Sequence, residues 1–281
     1  SIVKWELFNE IRRPVLANML KPMALKARDL DPTRMILDES GGWAMGANLF
    51  LPNEKIPVKF NDIHNYPGPN INREKFDGFL TIGNSKEENE KRKLFARTPG
   101  RNVLPNLPSY VSEIGYGSLP NLEENEKSFR DKGNPITYPY LYHLRYNNEI
   151  KQALKKTGLN RIFKSVEDFY KLQQKVHGVA NKRMIEAIRS NPNVIGYCVH
   201  ALTAGDWIIG AGLLDLWRNP KGDAYYKTKE ANRQQLLVIR TNKRNYYVDE
   251  KIELELIGIN EKKKNQVDLE CVITNEKNNI I

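Results

Sequence analysis

The run Val194-Ile195-Gly196-Tyr197-Cys198-Val199-His200-Ala201-Leu202 is the most hydrophobic stretch of the chain. A strand apolar on both faces needs cover on both, which is the situation of a parallel sheet between helices. The segment before it is strongly helical. Val166, Phe169, Tyr170, Leu172, Val176, Val179, Met184, Ile185 and Ile188 recur at helical spacing over 166–189. Asn191-Pro192 ends that helix. A long amphipathic helix feeding an apolar strand points to the α/β class.

The earlier chain repeats the pattern. Residues 2–8 alternate Ile2, Val3, Trp5, Leu7 and Phe8 with Lys4 and Glu6, reading as a strand that stops at Asn9-Glu10. Trp5 reads as core. Pro14 suits the first turn of a helix, and apolar residues at helical spacing carry that helix over 14–30, with Pro22 as a local irregularity. Met35-Ile36-Leu37 is a short buried strand ending at Asp38-Glu39-Ser40, and Gly41-Gly42 opens a loop. Val58 to Ile63 is the next strand, with Asp62, His64 and Tyr66 at its end. Residues 70–108 read as a connection with a short helix near Lys86–Leu94. Tyr110-Val111 runs into Ser112-Glu113-Ile114-Gly115, another strand end. Residues 116–165, rich in Tyr and Pro, are too long for a simple crossover.

A helical segment is expected over Lys227–Gln235. From Leu236 the pattern changes to LLVIRT, KIELELIGI and QVDLECVIT, strand-like runs separated by polar turns. Two units follow: an α/β unit over 1–235 and the beginning of an antiparallel β unit over 236–281. The first supplies about five strands of a parallel barrel, the second about three of a sandwich. Both ends read as cuts through a domain.

The 281 residues carry a formal net charge of +10. The basic residues are dispersed, and Lys262-Lys263-Lys264 has no interleaved aromatics of the kind that stack bases. No nucleic-acid partner is expected. No stretch approaches the ~20 apolar residues that cross a bilayer, so no membrane partner is expected either. Cys198 and Cys271 lack zinc-ligand spacing and read as two reduced, buried thiols, a single bridge between them being the alternative.

Glu10 and Glu113 each stand where a strand ends and a connection begins. On position alone each reads as a surface carboxylate. In a barrel of alternating strands and helices, however, the carboxyl ends of the strands are where catalytic side chains converge. The motifs WELFNE, VSEIGYGSLPN and GYCVHALTAGDW occur in that order, with DPTR at 31–34, HNY at 64–66, GLLDLWRNPK at 212–221 and KEAN at 229–232 between or after them. Together they resemble glycoside hydrolase family 2, the β-galactosidase, β-glucuronidase and β-mannosidase group of retaining barrel glycosidases. The resemblance runs over nearly the whole chain, but barrel strands one to three and the family's N-terminal β domains have no counterpart in it.

That resemblance implies the C-terminal portion of a (β/α)8 TIM barrel, about strands four to eight, followed by the start of an immunoglobulin-like β-sandwich. It implies a retaining enzyme that cleaves terminal β-linked sugars by double displacement. Glu10 would be the acid/base and Glu113 the nucleophile. Asn9 would bind the sugar 2-hydroxyl and Trp207 would lie under the sugar ring, core packing being the alternative for Trp207. Tyr66, on the strand next to that of Glu113, is a candidate donor to it. His64 reads equally as a sugar-hydroxyl contact or a structural hydrogen bond. No cofactor and no metal constellation are expected. The expected partners are a carbohydrate substrate and either the rest of the same polypeptide or further copies of the chain. A non-catalytic carbohydrate-binding or structural protein on the same scaffold is the alternative.

Overall fold

The structure, a computed structural model, describes residues 2–11, 14–42, 47–133, 136–204, 209–243, 245–262, 270 and 272–280. Strand β1 (Lys4–Glu6) leads into helix α1 (Pro14–Leu30), which runs through Pro22 unbroken, and then β2 (Met35–Leu37). β1 and β2 pair in parallel, Lys4 opposite Met35 and Glu6 opposite Leu37. The strand β3 (Asn48–Phe50) pairs antiparallel with β2 and with β4 (Val58–Lys59). The sequence gives no sign of β3, because three residues are too few to establish a period. Trp5 is 41% exposed rather than core. It lies at the sheet edge, and its indole N–H donates to Asp31 Oδ2 at 2.8 Å.

A second parallel set follows: β5 (Asn61–Asn65), β6 (Ser109–Ile114) and β7 (Val194–Val199), in that spatial order. The expected strand over 58–63 is two strands that break at Phe60. Between β5 and β6 lie α2 (Arg73–Leu80) and α3 (Lys86–Lys91). Asn72 caps α2, and Ser85 with Glu88 forms a capping box on α3. α2 is masked in the sequence by interleaved charges. Yet its last five residues are buried, Phe76, Phe79 and Leu80 fully so together with Ile71 just before the helix, each large side chain contributing roughly 1.5–3 kcal/mol.

The Tyr/Pro-rich stretch is helical. It forms α4 (Leu122–Asp131) and α5 (Tyr138–Lys156), with Pro139 in the first turn of α5, where a missing N–H costs little. α6 (Val166–Arg189) matches the expected span and starts at a Ser165–Asp168 capping box. α6 packs under β5–β7, its Ala180, Met184, Ile185, Ala187 and Ile188 meeting Ile63, Val111 and Ile114 in the main core. It also crosses α7 (Gly222–Ala231) so closely that a Cβ on Gly178 would stand 2.2 Å from the Asp223 carbonyl oxygen.

The run over 194–202 is a shorter strand than expected and is only half-buried, with Ile195 66% exposed. β7 has a strand partner on one side only among the described residues, so its outer face lacks the cover a central strand would have. For the same reason Cys198 is a free, exposed thiol, not a buried one. Cys271 lies outside the described residues. β8 (Gln235–Thr241) and β9 (Leu254–Asn260) form an antiparallel pair. This pair shares the main core through Val238, Leu236, Ile257 and Ile259, and Arg240 holds Asp77 of α2 at 2.9 and 3.0 Å. The third strand expected, over 266–274, falls largely outside the described residues. Nearby, the bridge Thr274–Ile280 is isolated.

Candidate active site

The exits of β1, β2, β5 and β6 face one another, and their last residues form the site. At the exit of β1 the chain stays in register with β2 past the strands proper. Asn9 bridges Ser40, the Ser40 N–H donates to the Phe8 carbonyl at 2.8 Å, and the Glu10 N–H donates to the Ser40 carbonyl at 3.0 Å. This pairing holds Glu10 at φ 51°, a left-handed conformation uncommon for a side-chain-bearing residue. Such conformations persist where the surroundings over-determine them, and they cluster at functional sites.

His64, two residues past Asp62 on β5, lies between the two carboxylates. Its Nδ1 is 2.8 Å from Glu10 Oε1 and 3.3 Å from Glu113 Oε2, and its side chain is 4% exposed. On its other side, Nε2 is 2.9 Å from Ser40 Oγ. Tyr66 donates its phenol proton to Glu113 Oε2 at 2.6 Å. Burial pushes the Tyr66 phenol well above its ordinary value, and the hydrogen bond to Glu113 adds to the shift, so it remains a donor through alkaline pH. One ligand-type atom from each of Glu10, His64 and Glu113 lies within 4.8 Å of the others.

Behind His64 is a buried polar layer that the sequence does not announce. Asp62 Oδ1 accepts from Ser40 Oγ at 2.9 Å, from the Gly41 N–H at 2.9 Å and from Ser112 Oγ. Lys4 Nζ stands 3.8 Å from Asp62 Oδ2. Burial raises the Asp62 carboxyl, and the Ser112, Gly41 and Ser40 donors oppose the rise. Ser40 and Asp62 could be found from sequence only as polar residues at strand ends; nothing in their spacing marks them as partners.

Glycines let the strand exits close in. A Cβ on Gly115, directly after Glu113 and Ile114, would stand 2.6 Å from the His200 carbonyl oxygen. The His200 N–H donates to the Ile114 carbonyl at 2.8 Å. The resulting cleft of ≈ 610 Å³ is lined by Asn9, Glu10, Tyr66, Glu113, Tyr116 and His200, with Gly68, Gly115, Gly117 and Gly210 between them. His200 sets its ring edge-on to Tyr66, centroids 6.0 Å apart. Across the 64–68 segment a second cavity of ≈ 440 Å³, lined by Lys75, Arg97 and Arg101 among others, contains neither carboxylate.

Five of the six residues singled out from sequence therefore meet at one place: Asn9, Glu10, His64, Tyr66 and Glu113. Trp207 lies outside the described residues. The cleft wall behind Tyr116 and Gly117 rests on a buried lysine. Lys221 Nζ donates to the Ser118 carbonyl at 2.5 Å and the Gly210 carbonyl at 3.0 Å, tying the loop after β6 to the loop after β7. Beside it, His177 Nδ1 is 2.9 Å from Ser118 Oγ.

The arrangement places a hydrogen-bonded carboxyl pair in an open cleft, with one member held by a phenol and both touching an imidazole. Such a pair can protonate a leaving group with one member and attack, or stabilise positive charge, with the other. No family model matches the chain, and no curated protein does. Its mixed α/β fold, with parallel strands and helices, is similar to the crystal structure of a beta-D-mannosidase from Dictyoglomus thermophilum. The TM-score is 0.51 at 19% identity, over 92% of this chain and 29% of that one. At that identity the likeness is one of fold, and this chain spans less than a third of that protein's length.

Proposed function

We propose that the chain is the C-terminal part of the catalytic barrel of a retaining β-glycosidase of the family 2 type, followed by the start of an immunoglobulin-like domain. The observation that carries this reading is the carboxyl pair of Glu10 and Glu113. Both sit at exits of parallel strands, face one cleft, and have oxygens within 4.8 Å of each other. Retaining enzymes need carboxyl groups about 5–5.5 Å apart, whereas inverting enzymes leave about 6.5–9.5 Å for a water. The similarity in fold to a beta-D-mannosidase supports the same reading.

In this mechanism Glu113 is the nucleophile. The Tyr66 hydrogen bond holds one of its oxygens, leaving the other to attack the anomeric carbon. Glu10 gives its proton to the glycosidic oxygen as that bond breaks. Water then attacks the glycosyl ester, Glu10 takes the water's proton, and Glu113 leaves. Asn9, on the cleft surface beside Glu10, would hold the 2-hydroxyl, and Trp207 would lie beneath the sugar. The carboxyl groups of Glu10 and Glu113 line this cleft and disfavour a further negative charge in it, which supports an uncharged sugar over a uronic acid.

The outer edges of β1 and β7, without a strand partner among the described residues, are proposed to be covered by further strands of the same polypeptide or by another copy, which would complete the cleft wall. The deciding experiment is trapping. A 2-fluoro glycoside with an activated leaving group should leave a covalent ester on the peptide containing Glu113. Sugar binding without any trapped ester or turnover would favour the non-catalytic carbohydrate-binding alternative.

A further inference from the structure

Residues 91–112 hold Lys91, Arg92, Lys93, Arg97 and Arg101 and no aspartate or glutamate. Arg97 and Arg101 come from the connection between α3 and β6. Both line the ≈ 440 Å³ cavity that lies across the 64–68 segment from the carboxyl pair. Lys75 of α2 lines it too, and Glu74 is the one carboxylate among its described lining residues. No carboxylate stands within ion-pair distance of Lys75 or Arg97 among the described residues. Three cationic side chains thus gather in one concavity against a single anionic one. Gathered like charges repel one another, and a concave site focuses their field on an incoming counter-ion.

Each cation is placed by contacts of its own. The Lys75 N–H donates to the Asn72 side chain that caps α2, at 2.9 Å, and Lys75 Nζ donates to the Pro67 carbonyl. An ammonium has three N–H groups, so two remain for a ligand. The Arg97 carbonyl comes so close to α2 that a Cβ on Gly78 would stand 2.8 Å from it, and Thr98 Oγ1 lies 2.6 Å from Thr81 Oγ1. Beyond the turn Thr98-Pro99-Gly100, Asn102 Nδ2 donates to the Gly42 carbonyl at 2.9 Å. The backbone carrying both guanidinium groups is therefore anchored on each side, which lowers the ordering cost of binding.

We propose that this cavity is a binding site for a small ligand held by a tetrahedral oxyanion, a phosphate or a sulfate, with Arg97, Arg101 and Lys75 as its donors. Guanidinium groups offer such an oxyanion paired N–H donors, and the ammonium adds a point charge. A volume of ≈ 440 Å³ is that of a small-molecule site and exceeds what a free oxyanion fills. It leaves room for a monoester of a sugar-sized alcohol, whose hydroxyls Glu74 would accept. The site is separate from the catalytic cleft. Neither Glu10 nor Glu113 lines it, and their charge would repel the same ligand. The proposal does not rest on the glycosidase reading.

Titration calorimetry of the whole chain at constant ionic strength tests it, with inorganic phosphate, inorganic sulfate and glucose 6-phosphate as probes. The expected result is saturable binding of at least one probe with Kd below about 1 mM. Tighter binding of glucose 6-phosphate than of either inorganic ion assigns the site to a monoester, and the reverse order assigns it to the free anion. Arg97 is exposed, so Arg97→Ala should leave the fold intact while weakening binding roughly 10-fold or more, and Arg97→Lys should cost less. Arg92→Ala removes a charge from the same segment but not from the cavity lining, and should change Kd by less than about twofold. Nitrogen-15 amide signals should shift at Asn65, Gly100 and Arg101 and stay still at Gly117 and Gly210, on the wall of the catalytic cleft. No saturable binding of any probe, equal weakening by Arg92→Ala and Arg97→Ala, or shifts centred on the cleft would each overturn the proposal. Trapping on Glu113 reads the other cavity, so failure of either reading is seen separately.

Discussion

Tyr66 gives its phenol proton to Glu113 across 2.6 Å, from the exit of β5 to the end of β6. The two strands are parallel neighbours, with His64 opposite Glu113, so the contact follows directly from the register. A hydrogen bond to a charged group contributes about 1.5–3 kcal/mol. Tyr66→Phe should therefore lower kcat/KM by roughly 10–100-fold, with little change in the midpoint of chemical denaturation. Since burial and Glu113 raise the Tyr66 phenol, the alkaline limb of the wild-type profile should not reflect its ionisation and should persist in the Phe variant.

The two carboxylates should separate by leaving group. Glu113→Gln should abolish ester formation, because an amide is a poor nucleophile. Glu10→Gln should cost most with poor leaving groups, by roughly 100-fold or more, and least with nitrophenyl ones that need little protonation. Equal losses across a series of aryl glycosides would contradict the assignment of Glu10.

Selectivity should follow charge. With the carboxyl groups of Glu10 and Glu113 in the cleft, a panel of nitrophenyl glycosides should show turnover of uncharged β-glycosides and at least roughly 100-fold less of uronides. A preference for a uronide would refute this.

Gly178 tests the packing that carries the site. Its substitution by Ala would push a Cβ to 2.2 Å from the Asp223 carbonyl, a contact that backbone must yield to. Prying α6 from α7 should cost roughly 1–3 kcal/mol or more, measured by urea denaturation.

Stability should rise with pH across the neutral range because of Lys221. Burial pushes its ammonium down to about 7 from an ordinary 10.5, with Asp215 opposing. Above about 7 the folded lysine has lost a proton that the unfolded one still binds, so raising the pH favours the fold. Below about 7 both states are charged and the dependence stops. His177, lowered to about 3 by burial and by Lys221, works the same way at acid pH, with stability falling from pH 6.5 towards 3. Denaturation midpoints between pH 7 and 9 should rise in the wild type and lie flat in Lys221→Met.

What the sequence determined was local and periodic. The 166–189 helix, the strand ends carrying Asn9-Glu10 and Ser112-Glu113, and the order of the motifs were legible because apolar spacing and chain punctuation report on neighbours. The α4 and α5 helices and β3 were not legible. Their period is short or interrupted, and they form because Leu122, Tyr170 and Phe50 find partners far along the chain. Burial followed the same division. The run over 194–202 is apolar enough for a central strand, but its place at a sheet edge leaves Cys198 exposed. The site divides likewise. Glu10 and Glu113 stood out as strand-end residues, whereas the roles of Ser40 and Asp62 exist only because β2 and β5 exit side by side. A hydrogen bond between residues 22 apart leaves no trace in spacing; only the tertiary structure decides which polar groups meet.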